Sequence, residues 1–130
     1  MVNSLSFEDR ATKYATDVVS GEIPSCNFTK LACQRHLDDL ARQGTDEFPY
    51  VFNPLMHNQH GSEYRPAERV CTFLELLPHV KGKWAREGRL LELEGWQIFY
   101  LASQFGWINI KTALRRFRTS YLEISRKNAK

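Results

Sequence analysis

The sequence contains no apolar run near the roughly 18 consecutive residues that a membrane-crossing helix requires, so no span is expected and the chain reads as soluble. Cysteine is scarce. Cys26, Cys33 and Cys71 are odd in number and widely spaced, which excludes the disulfide framework of a small secreted domain. Near Met1 no basic cluster precedes an apolar stretch, so a signal peptide is not expected and the inferred setting is a reducing cytoplasm. Acids are nearly missing from Lys111 to Lys130, where Glu123 stands alone against seven Lys or Arg; the first 110 residues hold eleven bases and fourteen acids. The net charge of +3 therefore conceals a basic C-terminal block. Such a block reads either as a solvated tail or as an attraction for nucleic acid or nucleotide phosphate. Phe117 and Tyr121 inside it favour a folded segment.

What is present suffices for one packed domain: 130 residues, 42% apolar and 12% aromatic. Ser6 with Asp9 three residues on resembles a helix N-terminus, and Phe7, Ala11, Tyr14, Ala15 and Val18 recur at helical spacing until Ser20-Gly21. A first helix is expected over Phe7 to Val19. A cap at Ser25 or Asn27 opens a second helix whose Ala32, Cys33, His36, Leu37 and Leu40 share a face before Gly44. Thr45 to Arg65 loses periodicity and reads as a surface loop anchored by Phe48, Tyr50 and Phe52. Pro66 suits the first turn of a third helix, striped by Ala67, Val70, Cys71, Leu74 and Leu77 and ended by Pro78. His79 to Arg89 reads as a turn with one docking aromatic, Trp84. Gly95 to Phe105 is apolar around most of its circumference and is expected as a buried helix ended by Gly106. A short helix over Lys111 to Phe117 follows, then a single strand over Arg118 to Ser125, whose alternation and Thr119, Tyr121 and Ile124 favour extension. One strand leaves its backbone unsatisfied, so it needs a partner strand beyond Lys130 or in another molecule, or stays frayed.

Two segments suggest chemistry. Ser125-Arg126-Lys127-Asn128-Ala129-Lys130 follows the strand pattern as a P-loop would. Such a loop delivers backbone N–H groups, a helix dipole and one lysine to phosphate. A basic tail with one small residue is the competing reading. Upstream, Trp96-Gln97 is similar to the glutamine element of helicase-like ATPases, because one Gln amide can both donate to and accept from the N7 and N6 edge of adenine. The alternative is a helix start whose Gln97 faces water. A Trp-Gln element about thirty residues ahead of a strand and basic loop is the order expected of such an ATPase.

At this point the chain resembles the large subunit of tailed-bacteriophage terminases, the DNA-packaging ATPase and nuclease. The segments that carry the resemblance include Gly21-Glu22-Ile23-Pro24, Ala32 to Leu40, Phe73-Leu74-Glu75-Leu76-Leu77-Pro78-His79 and Leu93-Glu94-Gly95-Trp96-Gln97. It continues through Phe105-Gly106-Trp107, Leu114-Arg115-Arg116-Phe117-Arg118, Tyr121-Leu122-Glu123-Ile124 and Arg126-Lys127-Asn128-Ala129-Lys130, which in the family runs into Ser or Thr. The resemblance implies that Lys130 is the β/γ-phosphate lysine, that Arg126 and Lys127 flank the loop, that Asn128 and Ala129 belong to it, and that Gln97 beside Trp96 contacts adenine. Departures occur at Gly95, often Pro in relatives, at Ala113, often Gly, at Ser125, often Pro, and at Ala129, usually Gly.

The fold class so implied is mainly α: a helical N-terminal region over residues 1–89, followed over 90–130 by the start of a P-loop ATPase α/β domain with its adenine-side helix, first strand and partial loop. ATP and Mg are the cofactors implied for the full-length parent, with double-stranded DNA, the terminase small subunit and the portal as partners, no membrane, an oligomeric parent admitted, and the bacterial host cytoplasm as the location. The hydroxyl after the lysine, the acidic strand and the nuclease carboxylates are not in this sequence, so the chain alone is expected to hold no nucleotide tightly and to hydrolyse neither ATP nor DNA. The competing class is a stand-alone helical module that binds DNA or docks on the portal or another partner. For DNA, Lys30, Arg35 and Arg42 on the second helix are offset by Asp38, Asp39 and Asp46, a poor electrostatic footprint. The spacings of Cys26, Cys33 and His36, and of His57, His60 and Cys71, match no standard zinc arrangement.

Overall fold

The computed structural model describes residues 5–124. The described chain is mainly α, with two short antiparallel strand pairs. Helix α1 spans Phe7–Ser20. Ser6 Oγ accepts from Asp9 N at 3.1 Å, and Gly21 at φ 92 closes the other end by donating its N–H to Val18 O at 3.2 Å. Both ends follow the expected local signals. Glu68 adds a cap that no local pattern encodes: its two carboxylate oxygens accept from Phe7 N at 3.1 Å and Glu8 N at 2.9 Å across the fold.

Helix α2 covers Asn27–Arg42, with Cys26 rather than Ser25 or Asn27 at its N-cap. Its apolar stripe buries Cys33 and His36, and Asp39 continues the same face inward. Helix α3, Pro66–Glu75, stops two residues short of the expected Leu77. Helix α4, Gly82–Arg86, lies where a turn is expected. Trp84 there is half exposed; it packs on His79, with ring centroids 5.0 Å apart, and under Arg89 rather than docking in the core. Helix α5, Gly95–Gly106, buries Ile98, Phe99, Ala102 and Gly106.

The segment expected as a loop contains most of the strand structure. Strand β1, Tyr50–Phe52, pairs antiparallel with β4, Trp107–Asn109, which follows α5 directly. Strands β2, Met56–His57, and β3, Glu63–Tyr64, make a small hairpin. Phe48 and Phe52 are buried, as anchors should be. The backbone bends at Asn53, φ 56, a left-handed conformation that Asn tolerates better than most residues. Its side chain is buried; Oδ1 accepts from Ala67 N at 2.8 Å and so satisfies an open N–H in the first turn of α3. Arg65 Nη1 donates to Asn53 O at 2.9 Å.

Two expectations past α5 are corrected. Lys111 to Phe117 forms no helix: Asn109 Oδ1 accepts from Lys111 N and Thr112 N, and Ala113 takes φ 62. The side-chain amide thus competes for the N–H groups that a helix would use. Arg118 to Ile124 forms no strand among the described residues, and the strand following α5 is β4, paired with β1. The expectation of a single strand fails because periodicity cannot see ladder partners half a chain apart.

Helix α1 packs against α2 and α5, and α3 packs against α5 and also touches α1. The main core joins Ala11 of α1, Ala67 and Cys71 of α3, and Ile98 and Ala102 of α5 to Phe52 and Trp107 of the β1–β4 pair. It therefore draws on residues both before and after position 89. Gly106 is where the helix meets the sheet. A Cβ there would lie 2.9 Å from Cε1 of Phe52, so this glycine serves close approach rather than a left-handed turn. Gly106→Ala should destabilise the chain by about 1–3 kcal/mol through overpacking. The urea midpoint of the variant against the parent chain checks this, with an unchanged midpoint as the contrary result.

Candidate functional site

Trp96 and Gln97 occupy the first turn of α5, and both are organised by Glu94. The Glu94 carboxylate accepts from the backbone of Gln97 while Gln97 Oε1 accepts from Glu94 N at 2.8 Å, a reciprocal capping box. Trp96 Nε1 donates to Glu94 Oε2 at 2.9 Å. Gln97 is half buried, and its Nε2 makes no hydrogen bond among the described residues. The amide can still both donate and accept, because a carbonyl oxygen carries two acceptor sites. Capping also fixes its position on the helix. Arg126, Lys127, Asn128, Ala129 and Lys130, with Ser125, lie outside the described residues.

The chain leading to them runs back along α5. Gln104 Nε2 donates to Phe117 O at 3.4 Å, and the hydroxyls of Tyr100 and Ser120 are hydrogen-bonded. As numbers rise along the returning chain they fall along the helix. The segment is therefore heading at Ser120 for the end of α5 that carries Trp96 and Gln97, one helical turn from Tyr100.

A second cluster, missed in the sequence, lies between α2 and this return. Asp39 is buried; its Oδ2 accepts from Arg116 Nη1 at 2.7 Å, and its Oδ1 from Arg42 Nη2 at 2.7 Å and Nε at 3.0 Å. The Arg116 guanidinium lies 4.8 Å from the Phe48 ring centre, 4.6 Å from that of Phe117 and 5.5 Å from that of Trp107. Burial alone would raise the Asp39 carboxyl, but the hydrogen bonds and charges of Arg116 and Arg42 outweigh it and hold the group below its ordinary range. Asp39 lies three residues after His36 on the apolar stripe of α2, and that spacing was the available signal for its burial.

His36 sits deeper. Its ring meets Phe52, Phe99 and Trp107 edge-on, with centroids 4.7, 5.5 and 5.8 Å away, and neither ring nitrogen has a hydrogen-bond partner among the described residues. Burial pushes it down to about 4; Asp39 opposes that shift, while Arg35 and Arg116 add to it. Burial pushes the Cys33 thiol up to about 11, and chiefly burial pushes Cys71 up to about 12, so both are poor nucleophiles near neutrality. Among the described residues no three His, Cys, Asp or Glu side chains gather as a metal site.

The three cations of α2, Lys30, Arg35 and Arg42, are exposed, and two of them also make contacts within the fold. Arg42 pairs with Asp39 and stacks 4.0 Å from the Phe48 centre, and Arg35 lies 5.0 Å over Phe117. On the opposite side of the molecule's strand pair, between β3, α3 and the turn after β4, a groove of about 550 Å³ is bordered by Arg69 and Arg115. Comparison with protein-family models, with curated proteins and with solved structures gives no match for this chain.

Two predictions follow from the buried cluster. Asp39→Ala should cost about 3–5 kcal/mol, because it strands Arg116 among aromatic rings without a counter-charge; urea unfolding at pH 7 measures it. For His36 the folded value near 4 lies below the ordinary 6.5, so below pH 6.5 the unfolded chain takes up a proton that the native chain refuses. Stability should fall as pH drops from about 6.5 to about 4, by roughly 3 kcal/mol in all at about 1.4 kcal/mol per unit. His36→Leu should flatten that part of the urea-midpoint profile, and an equally steep profile would contradict the assignment.

Proposed function

We propose that the chain is the N-terminal region of a phage terminase large subunit, in which α5 supplies the adenine side and the segment after Ser120 leads to the phosphate loop of a P-loop ATPase domain. The observation that carries this reading is the return of residues 117–120 along α5 toward Trp96 and Gln97. An ATPase of this kind needs its adenine-reading amide and its phosphate loop near enough to hold one nucleotide, and the chain direction is consistent with that. Gln97 would hold the N6 and N7 edge of adenine through its free Nε2 and the second acceptor site of Oε1, with Trp96 beside it. Arg126, Lys127 and Lys130 would supply the charge for the phosphates, and Asn128 with the small Ala129 the close backbone approach.

Two departures from the family pattern bear on the reading, and the first supports it. Ala113, where relatives often have Gly, adopts φ 62, a conformation that favours glycine. Gly95, where relatives often have Pro, is the first residue of α5 after the Glu94 cap, the helical position proline tolerates best. The backbone thus suits the family residue at position 113, whereas at position 95 an added Cβ would lie 3.3 Å from Cδ2 of Tyr14.

Mg would be held by the loop hydroxyl that follows the lysine in the family, and the packaging function with its DNA, small-subunit and portal partners would belong to the longer protein. The test is the reading frame beyond codon 130. Expressed in full, it should encode Ser or Thr next, then an acidic strand, and should hydrolyse ATP. Lys130→Ala should lower kcat at least about 100-fold, and Gln97→Ala should raise KM for ATP more than for GTP. The 130-residue chain alone should show no turnover. A full-length product without ATP hydrolysis, or one indifferent to Lys130, would refute the proposal.

A further inference from the structure

The groove beside α3 has a composition that its structural role does not require. Val70 and Phe73 of α3, Phe105 of α5 and Ile108 of β4 form its apolar wall, and no carboxylate lines it. Phe73 is 59% exposed, a large apolar side chain left in water. Arg69 and Arg115 stand at its borders, and neither pairs with an acid among the described residues. Each guanidinium is instead propped on a ring, Arg69 4.7 Å from the Tyr64 centre and Arg115 4.9 Å from that of Phe105. Arg115 is further fixed by the bridge between its backbone and Ile108.

The contrast with Arg42 and Arg116 is informative. Those two share one buried carboxylate and hold the fold together, whereas Arg69 and Arg115 are pre-positioned and electrostatically unspent. Stacking limits the rotamers of a guanidinium, so less entropy is lost when an anion arrives. About 550 Å³ lies within the range of sites that enclose a ligand.

We propose that this groove binds an acidic peptide segment which inserts one aromatic or large aliphatic side chain between Arg69 and Arg115 and places a carboxylate against each. Charge complementarity selects the flanks, and the Val70, Phe73 and Ile108 wall selects the anchor. Single-stranded nucleic acid fits less well. Its bases stack on a series of open aromatic faces, and here the arginines already cover a face of Tyr64 and of Phe105, which leaves Phe73 as the one uncovered ring among the lining residues. The site stands on its own geometry and does not depend on the ATPase reading.

The test uses the 130-residue chain and a randomised dodecapeptide display library, selected in parallel on the parent chain and on Arg69→Glu/Arg115→Glu. Both side chains are exposed, and circular dichroism checks that the double variant keeps its helices. Enriched peptides should share one aromatic or large aliphatic residue with Asp or Glu on both sides. By fluorescence anisotropy they should bind the double variant at least about tenfold more weakly, and bind the parent chain more weakly at 300 mM than at 50 mM salt. No enrichment, peptides that bind both chains equally, or peptides indifferent to exchange of their acids for amides would overturn the proposal. So would a random single-stranded DNA oligonucleotide that depends on the two arginines where no peptide is enriched.

Discussion

The ion pair between Asp39 and Arg116 is the contact on which the second half of the fold depends. It joins the middle of α2 to the returning chain across 77 positions of sequence, and it does so in a largely water-excluded aromatic box. A buried carboxylate with one partner would be expensive, but Asp39 accepts from both Arg42 and Arg116, and the rings of Phe48 and Phe117 attract the guanidinium through their faces. Arg116 also donates its backbone N–H to Trp107 O at 2.9 Å, so the same residue closes the turn after β4. With Arg116 fixed, Phe117 is fixed, and Gln104 and Tyr100 then guide the following residues along α5. The path toward Trp96 and Gln97 thus rests on this buried pair together with the backbone bridge of the turn and the contacts to α5.

That pair also divides the basic block into parts with different roles. Among the described residues of the block, Arg116 is a structural residue, Arg115 borders a groove, and Lys111 and Arg118 are exposed. A net charge summed over a segment therefore overstates what is available for binding. The same division holds on α2, where Arg35 and Arg42 lean on Phe117 and Phe48. On α2 only Arg42 has an acid partner among the described residues, while Lys30 and Arg35 are exposed.

Acidic residues repeatedly hold the N-terminal ends of helices and the residues before them in this protein. Glu94 caps α5 locally, while Glu68 caps α1 from α3 and Glu75 accepts from Leu93 N at 2.8 Å. Only the first of these lies within the few residues that a sequence motif spans. The contrast explains the pattern of success along the chain. The bounds of α1 and α5 were legible because Ser6, Gly21 and the apolar run after Gly95 act on their own neighbours. The Lys111 to Phe117 segment misled because the decisive group, the Asn109 amide, competes with a helix that propensity alone allows.

The sequence by itself determined the mainly helical class, the faces of α1, α2, α3 and α5, and the order in which a Trp-Gln pair precedes a basic segment. These follow from short-range sterics, capping and 3.6-residue periodicity, which act within a few residues. Only the tertiary structure decided that β1 pairs with β4, that Asp39 is buried with Arg116, that His36 is enclosed without a partner, and that Arg69 and Arg115 face one groove. Each of these joins residues separated by tens of positions or depends on which charges lose water. Such contacts are set by the packing of the whole chain, because the cost of desolvating a charge is met only by the particular partners that folding brings beside it.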